Sequence, residues 1–295
     1  MPSDPVILAG KAVATAVKDG LKDRIATLQA KGVIPGLTVI LVGEDPGSQS
    51  YVRSKERQSG QLGFKSEVIR LPAETGETEV LDLVKRLNQD DSVHGILVQL
   101  PLPKHIDSQK VIETIDANKD VDGFHPVSMG KLVLGLDGFV PCTPAGIVEM
   151  IKFYGLETSG KHLVVVGRSN IVGKPMANLM LQKSQHANCT VTLCHTGTPD
   201  MGIHTRAADI LVVAAGVPQY IGADMVKEGA VVIDVGINRI DAPGTEKGYR
   251  IVGDVDYDAV APKSSAITPV PGGVGLMTVA MLLSNTVKSA EKTLK

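Results

Sequence analysis

The sequence predicts an α/β fold: two domains, each built on a parallel sheet with helical crossovers, flanking a cleft. Three observations carry this prediction. The chain has 295 residues, which suits two domains at roughly 150 residues each. Short continuous runs of aliphatic and β-branched residues alternate with longer segments whose apolar residues recur every three or four positions. One run, Leu163-Val-Val-Val-Gly-Arg-Ser-Asn-Ile-Val-Gly-Lys-Pro175, stops at a glycine, turns through polar residues and meets a second glycine before helix-permissive sequence.

In the first half, Val13, Val17, Leu21, Ile25 and Leu28 mark one face of a helix that Gly32 ends. Leu37–Val42 is nearly all apolar, the pattern of a strand buried on both faces. Asp45-Pro46 supplies an N-cap and an N1 proline for a helix running towards Gly63. Phe64–Leu71 reads as a strand, Val80, Leu81, Val84 and Leu87 as a helix face, and His94–Leu100 as a further strand. This βαβαβ alternation requires helical crossovers between parallel strands.

Three stretches of this half carry chemistry. In Tyr51-Val-Arg-Ser-Lys55 the ring and the ammonium lie four residues apart, so they share a helix face just beyond a strand's C-terminal end. Open α/β sheets bind ligands at that end. In Val98-Gln-Leu-Pro-Leu-Pro103 two prolines close a buried strand and leave Gln99 at the same mouth. Asp120-Val-Asp-Gly-Phe-His-Pro126 places two carboxylates in one loop. There a carboxylate can accept from an amino-pyrimidine edge or simply stabilise the turn.

The second half opens with Thr143-Pro144, read as N-cap and N1 of a helix carrying Ile147, Ile151 and Tyr154 and ended by Gly155. The boundary is placed here, giving residues 1–142 with 277–295 as one domain and 143–276 as the other. Strands are expected at Leu163–Val166, Thr190–Cys194, Ile210–Ala214 and Ala230–Asp234, with shorter candidates at Arg250–Val252 and Ala266–Thr268. Such a succession is that of a Rossmann-like dinucleotide-binding domain.

Its turn departs from Gly-x-Gly-x-x-Gly, because Gly167 and Gly173 flank Arg-Ser-Asn-Ile-Val with no middle glycine. A ribose 2′-hydroxyl is normally met by a carboxylate near the end of the second strand. That strand ends Leu193-Cys-His-Thr196 without one, while Arg168 can grip a 2′-phosphate. NADP is therefore expected rather than NAD. Finally, Thr268-Pro-Val-Pro-Gly-Gly-Val-Gly-Leu-Met-Thr278 forms a shaped loop whose backbone at Pro271, Gly272, Gly273 and Val274 can approach a ligand closely. It leads into a helix with apolar Leu276, Val279, Ala280, Leu283, Val287, Ala290 and Leu294. This helix is expected to return to the first domain and to bring the loop to the cleft.

Composition removes several classes of function. A net charge of −2 gives no reason for a nucleic-acid or membrane partner. The longest apolar runs are far shorter than the ~20 residues that span a bilayer. The start, Met-Pro-Ser-Asp-Pro, has neither the basic nor the apolar region of a signal peptide. Cys142, Cys189 and Cys194 make no Cys-x-x-Cys and are expected as free thiols in a reducing cytoplasm. The seven histidines are scattered, so no metal site is expected; His94 and His125 read as structural.

Together these motifs resemble the bifunctional methylenetetrahydrofolate dehydrogenase/methenyltetrahydrofolate cyclohydrolase family. The resemblance is carried by Tyr51–Lys55, Gly95–Pro103, Asp120–Pro126, Val166–Pro175, Val235-Gly-Ile-Asn238 and Pro269–Thr278, in the family's order and over nearly the whole chain. It implies a homodimer, with folate against the first domain and NADP on the second. By position, Tyr51 would stack on the folate ring, Lys55 would be the catalytic lysine, Gln99 would hold and tune it, and Asp122 would take the pterin's amino edge. Gly167, Arg168 and Ser169 would hold the cofactor's phosphate end, with Thr196 nearby and Ile237 beside the nicotinamide. Two positions depart from the family. Gly197 stands where many members have a basic residue, and Leu276 where many have proline.

The implied chemistry matches the residues. Oxidising the carbon between two nitrogens of 5,10-methylenetetrahydrofolate leaves a delocalised amidinium without releasing an O–H or N–H proton, so it needs positioning more than a base. Hydrolysis to 10-formyltetrahydrofolate does need proton transfer, and Lys55 is the shuttle among the matched residues if its pKa is lowered. Tyr-x-x-x-Lys is also a pairing of short-chain dehydrogenases, but there it follows the cofactor turn, whereas here it precedes it by more than a hundred residues.

Overall fold

The structure is a computed structural model and describes residues 4–245 and 248–294. In chain order it begins β1 (Val6–Ile7), α1 (Gly10–Ala30), β2 (Gly36–Val42), α2 (Pro46–Gln61), β3 (Lys65–Leu71), α3 (Glu77–Gln89) and β4 (Gly95–Val98). Then come α4 (Ser108–Thr114), α5 (Pro126–Val133), α6 (Cys142–Phe153), β5 (His162–Val166), α7 (Gly173–Met180) and β6 (Thr190–Cys194). The remainder is α8 (Met201–Thr205), β7 (Ile210–Val213), β8 (Val231–Asp234), β9 (Asn238–Asp241), β10 (Tyr249–Val252), α9 (Tyr257–Val260), β11 (Ala266–Ile267) and α10 (Gly275–Lys292).

The chain divides into two compact units. One comprises Thr15–Cys142 and the chain from Val279 onward. Its parallel sheet has the order β3-β2-β4. The central strand β2 is buried at every residue, as its nearly continuous apolar run predicts. Its residues alternate between two cores. Leu37, Val39 and Leu41 pack with Leu21, Ile25 and Leu28 of α1 and with Val279, Leu283 and Val287 of α10. Ile40 and Val42 pack with Val80, Val84 and Leu87 of α3. The C-terminal helix therefore does return to the first sheet. Its stripe holds from Val279 to Ala290, whereas Leu276 in the first turn and Leu294 beyond the last are exposed.

The other unit comprises the chain up to Ala14 with Thr143–Thr278. Its six parallel strands have the order β1-β11-β8-β7-β5-β6. Val164, Val166, Leu211, Val213, Val232 and Ile267 share one core.

Several local readings change. Residues 4–14, assigned from sequence to the first domain, belong with the second, because Val6 and Ile7 pair with Ala266 and Ile267 at that sheet's edge. The strand expected at Arg250–Val252 does not join the parallel sheet. It pairs antiparallel with β9, and its polar and half-exposed residues suit a surface hairpin. Helix α6 starts at Cys142, so Thr143 and Pro144 lie inside its first turn. Helices α4 and α5 were not read from sequence. Each is short and relies on a cap, Asp107 accepting from Gln109 and Lys110 N–H, and His125 Nδ1 accepting from Val127 N–H ahead of Pro126. No helix among the described residues is long and apolar enough to cross a membrane.

Candidate active site

In the three-stranded sheet, β3 follows β2 on one side and β4 lies on the other, so the strand order reverses beside β2 and β4. Two residues from the sequence motifs meet at the C-terminal ends of this pair. Asp45 caps α2 by accepting from Ser48 N–H at 2.7 Å, with Pro46 in the first turn, which starts the helix directly after β2. Lys55 lies in its middle and is buried, at 6% exposure. Gln99 leaves the end of β4, its N–H bound to the Ile40 carbonyl. Lys55 Nζ donates to Gln99 Oε1 at 2.9 Å, and Gln99 Nε2 donates to the Leu100 carbonyl at 2.7 Å. The second bond commits the donor end of the amide, so its oxygen must face the lysine.

This surrounding lowers the lysine's pKa. Burial pushes the ammonium below the ordinary lysine range, against the opposing charge of Asp122. Tyr51, one turn earlier, is 37% exposed and offers an open ring, and burial of the remainder pushes its phenol up. A half-open aromatic face beside a partly desolvated amine can bind a flat substrate and exchange a proton with it.

The structure separates the two carboxylates of the Asp120–Pro126 loop. Asp120 is buried and turned inward, accepting from Phe124 N–H at 3.1 Å, His125 N–H at 2.9 Å and Ser128 Oγ at 2.7 Å. Burial nevertheless pushes it up to about 6. Asp120 takes the turn-stabilising role and Asp122 is left free of it. Burial also pushes the Asp122 carboxyl up, offset by the Lys55 charge and a hydrogen bond from Cys142. Gly123 has φ +79°, and a Cβ there would press on Val140 and Pro141 backbone at 2.6–2.9 Å, so the chain beside Asp122 needs glycine. Cys142 Sγ donates to the Val121 carbonyl at 3.4 Å, and Asn285 Nδ2 donates to the same carbonyl at 2.9 Å and to that of Val140 at 3.2 Å. Burial raises the Cys142 thiol well above its usual range. All three cysteines are free and buried.

In the six-stranded sheet the order reverses at β5, which has β6 on one side and β7 on the other. Gly167 follows β5 with φ +124°, and a Cβ there would run into the Ala214 carbonyl. A Cβ on Gly173 would run into the Gly167 carbonyl. Both glycines are required because backbone crosses backbone. Ser169 Oγ accepts from Val172 N–H at 3.1 Å and Gly173 N–H at 3.3 Å. The first N–H groups of α7 are thus occupied by Ser169 rather than left to face an anion. The hydroxyl hydrogen stays available to an outside acceptor. Arg168 is exposed and has no hydrogen bond or ion pair among the described residues. Thr196 is exposed in a tight turn after β6, where Thr198 Oγ1 accepts from His195 N–H and His195 Nδ1 accepts from Gly197 N–H.

Ile237, half exposed, lies against Gly275, where a Cβ would stand 3.0 Å from its Cδ1. In the adjoining loop Pro271 is exposed and Gly272 half-buried, while Gly273 and Val274 are buried and offer backbone rather than side chain. The Gly272 carbonyl accepts from Gly10 N–H at 2.8 Å. His94 and His125 are structural: each Nδ1 accepts a backbone N–H, from Gly36 and Val127. Among the described residues no group of three or more His, Cys, Asp or Glu could hold a metal ion.

Sequence reading did not single out Asp120 over Asp122, nor did it find Asn285 or the site position of Cys142. Burial of a polar side chain is the mark they share, and no local pattern encodes it. The catalytic-domain model of the tetrahydrofolate dehydrogenase/cyclohydrolase family matches residues 8–122, and the NAD(P)-binding-domain model of the same family matches residues 141–294. The bifunctional protein FolD of Chlorobium phaeovibrioides is 59% identical over 291 residues, covering 98% of this chain and 99% of its own. The bifunctional FolD methylenetetrahydrofolate dehydrogenase/cyclohydrolase of Campylobacter jejuni superposes with a TM-score of 0.92 at 51% identity, covering 98% and 99% of the two chains. The methylenetetrahydrofolate dehydrogenase-cyclohydrolase of Trypanosoma brucei, solved with NADP cofactor and an inhibitor, superposes with a TM-score of 0.93 at 39% identity, covering 99% of each. The chain belongs to the tetrahydrofolate dehydrogenase/cyclohydrolase family.

Proposed function

We propose that the protein oxidises 5,10-methylenetetrahydrofolate to the 5,10-methenyl form with NADP and then hydrolyses that product to 10-formyltetrahydrofolate. The observation that carries this reading is the lysine: Lys55 is buried, held by Gln99, lowered in pKa and one helical turn from a half-open tyrosine ring. Tyr51 stacks on the pterin, and Asp122 accepts from its amino edge.

In hydrolysis, water adds to the amidinium carbon and loses a proton. The bond from that carbon to the ring nitrogen then breaks, the nitrogen gains a proton and the formyl carbonyl forms as the hydroxyl loses its own. One proton is released overall. A neutral Lys55 takes the proton from water and, once charged, can return it to the ring nitrogen. Gln99 supports both states, because its oxygen accepts from Nζ whether the amine is charged or neutral.

The residues of the second unit fit NADP. The turn between Gly167 and Gly173 has no side chain at either crossing, Arg168 has no partner among the described residues, and no carboxylate ends β6. Bound NADP supplies the hydride acceptor. Gly167, Arg168, Ser169 and Thr196 would hold its phosphate end, Ile237 would border the nicotinamide, and Pro271–Val274 would offer backbone to the folate. The rest of the reading follows from family membership: residues 15–142 with the C-terminal helix carry folate and residues 143–276 carry NADP, in a cytoplasmic homodimer.

The test is absorbance of the methenyl species when the purified protein meets methylenetetrahydrofolate with NADP or with NAD, followed by decay of added methenyl substrate without cofactor. Absence of methenyl formation with NADP would remove the dehydrogenase half, and absence of decay above background the hydrolase half. Sedimentation of the pure protein tests the homodimer.

A further inference from the structure

Asp254 is fully buried, at 0% exposure, and neither the motifs nor the roles above use it. Its carboxylate joins two strand exits. Oδ2 accepts from Ala215 N–H at 2.7 Å and Gly216 N–H at 2.8 Å, both just past β7. Oδ1 accepts from Asn238 Nδ2 at 2.8 Å; Asn238 opens β9, three residues of loop after the exit of the neighbouring strand β8. Behind it, Asp234 fixes the backbone of Asp254 itself. Asp234 Oδ1 accepts from Gly236 N–H at 2.9 Å and Asp254 N–H at 3.0 Å, and Oδ2 accepts from Val255 N–H at 2.9 Å. Two glycines make room for the pair: a Cβ on Gly236 would strike the Asp254 carboxylate, and one on Gly253 the Asp234 carboxylate.

What these exits border gives the network its consequence. The Ala214 carbonyl, next to Ala215, fills the space beside Gly167, so the β7 exit sits directly against the cofactor turn. Asn238 is bonded to Ile237 in the chain, and Ile237 rests against Gly275 at the start of α10. We infer that Asp254 is a positioning residue for NADP, setting the spacing between the Gly167 turn and Ile237 by holding both strand exits from one buried carboxylate. This rests on the dehydrogenase reading above. No other charged side chain is hydrogen-bonded to the Asp254 carboxylate among the described residues, so its acceptors face N–H groups alone.

That donor pattern sets a test by exchange. Asn238→Asp turns the Asn238 donor into a second acceptor facing Asp254. Adding Asp254→Asn restores complementarity, because the oxygen of the introduced amide can still accept from Ala215 and Gly216 while its NH₂ donates to the carboxylate introduced at position 238. The expected result for Asn238→Asp is an NADP KM raised about 10- to 100-fold, the cost of a lost charge-assisted hydrogen bond. The thermal shift on adding NADP should shrink in step, and cofactor-free hydrolysis of methenyltetrahydrofolate should stay within about twofold of wild type, since Lys55, Gln99 and Tyr51 share no hydrogen bond with the Asp254 network. The double variant should recover both the KM and the NADP thermal shift. A wild-type KM and NADP shift in Asn238→Asp would overturn the inference. So would a parallel fall in hydrolysis with no recovery in the double variant, which marks general destabilisation. A wild-type protein that fails to oxidise the substrate with NADP would remove the dehydrogenase reading and this inference with it, an outcome distinguishable from the first two.

Discussion

Replacing Lys55 by methionine separates the two proposed activities. Methionine keeps an unbranched stem of similar length in the middle of α2, so the packing of the buried methylenes changes little. What disappears is Nζ and its 2.9 Å bond to Gln99. General acid–base catalysis contributes about 10²- to 10⁴-fold, so hydrolysis should fall by that factor, a barrier increase of about 3 to 5 kcal/mol. Oxidation needs no proton shuttle and should persist. The variant should therefore accumulate the methenyl species from methylenetetrahydrofolate and NADP, where the wild type converts it onward. Two opposing effects act on stability. Gln99 Oε1 loses its partner, at about 1 to 3 kcal/mol. Against this, burial has lowered the folded-state pKa of Lys55 below its unfolded value, so the ammonium costs stability at every pH below the folded pKa. Methionine removes that cost at neutral pH, and its relative advantage should vanish as pH rises towards the unfolded lysine value. Absorbance of the methenyl species reports both reactions, and thermal unfolding at pH 7 excludes a trivial loss. A variant that hydrolyses methenyltetrahydrofolate within about twofold of wild type at neutral pH would refute the shuttle argument, since the smallest general-base contribution is far larger.

Gln99→Glu places a carboxylate where the amide oxygen now accepts from Lys55, which should raise the lysine's pKa and move the hydrolysis pH profile towards alkaline pH; an unshifted profile would mean Gln99 does not tune the lysine. Arg168→Ala should lower the NADP-to-NAD ratio of kcat/KM by about 10- to 100-fold, the value of one charge-assisted contact, and an unchanged ratio in steady-state assays would remove its phosphate role. For Asp120 the sign runs the other way from a paired surface carboxylate. Its folded pKa of about 6 lies above the ordinary 3.8, so its favourable contribution is present below pH ~4 and is lost as pH rises through ~6. Asp120→Asn does not titrate, so urea denaturation should show wild type losing up to about 3 kcal/mol relative to the variant between pH 4 and 7; parallel stability curves would contradict the burial argument.

Much of the fold was legible because its signals are local. The buried strands β2, β5 and β7 are nearly continuous apolar runs, and Asp45-Pro46 caps α2 as its spelling implies. What was missed depended on distant partners. Val6–Ile7 is too short to signal a strand and exists because Ala266 and Ile267 offer an open edge. The Tyr249–Val252 strand has an ordinary strand pattern, but only its pairing with Asn238–Asp241 puts it outside the main sheet. At the site, Tyr51, Lys55 and Gln99 were identifiable by type and spacing, whereas the burial of Lys55 was not.

The sequence by itself determined the principal buried strands, the glycines of the Gly167–Gly173 turn and the absence of a carboxylate after β6, because periodicity, backbone sterics and residue identity act within a few positions. Only the tertiary structure decided that Asp120 rather than Asp122 is consumed by its own loop, that Ser169 rather than an anion occupies the first N–H groups of α7, and that Asp254 spans two strand exits. Those outcomes depend on hydrogen-bond partners and on exclusion of water, and both are set by segments that meet only on folding. Lys55 is the plainest case: its identity is written in the chain, but its lowered pKa comes from burial, and its hydrogen-bond partner is an amide 44 residues away.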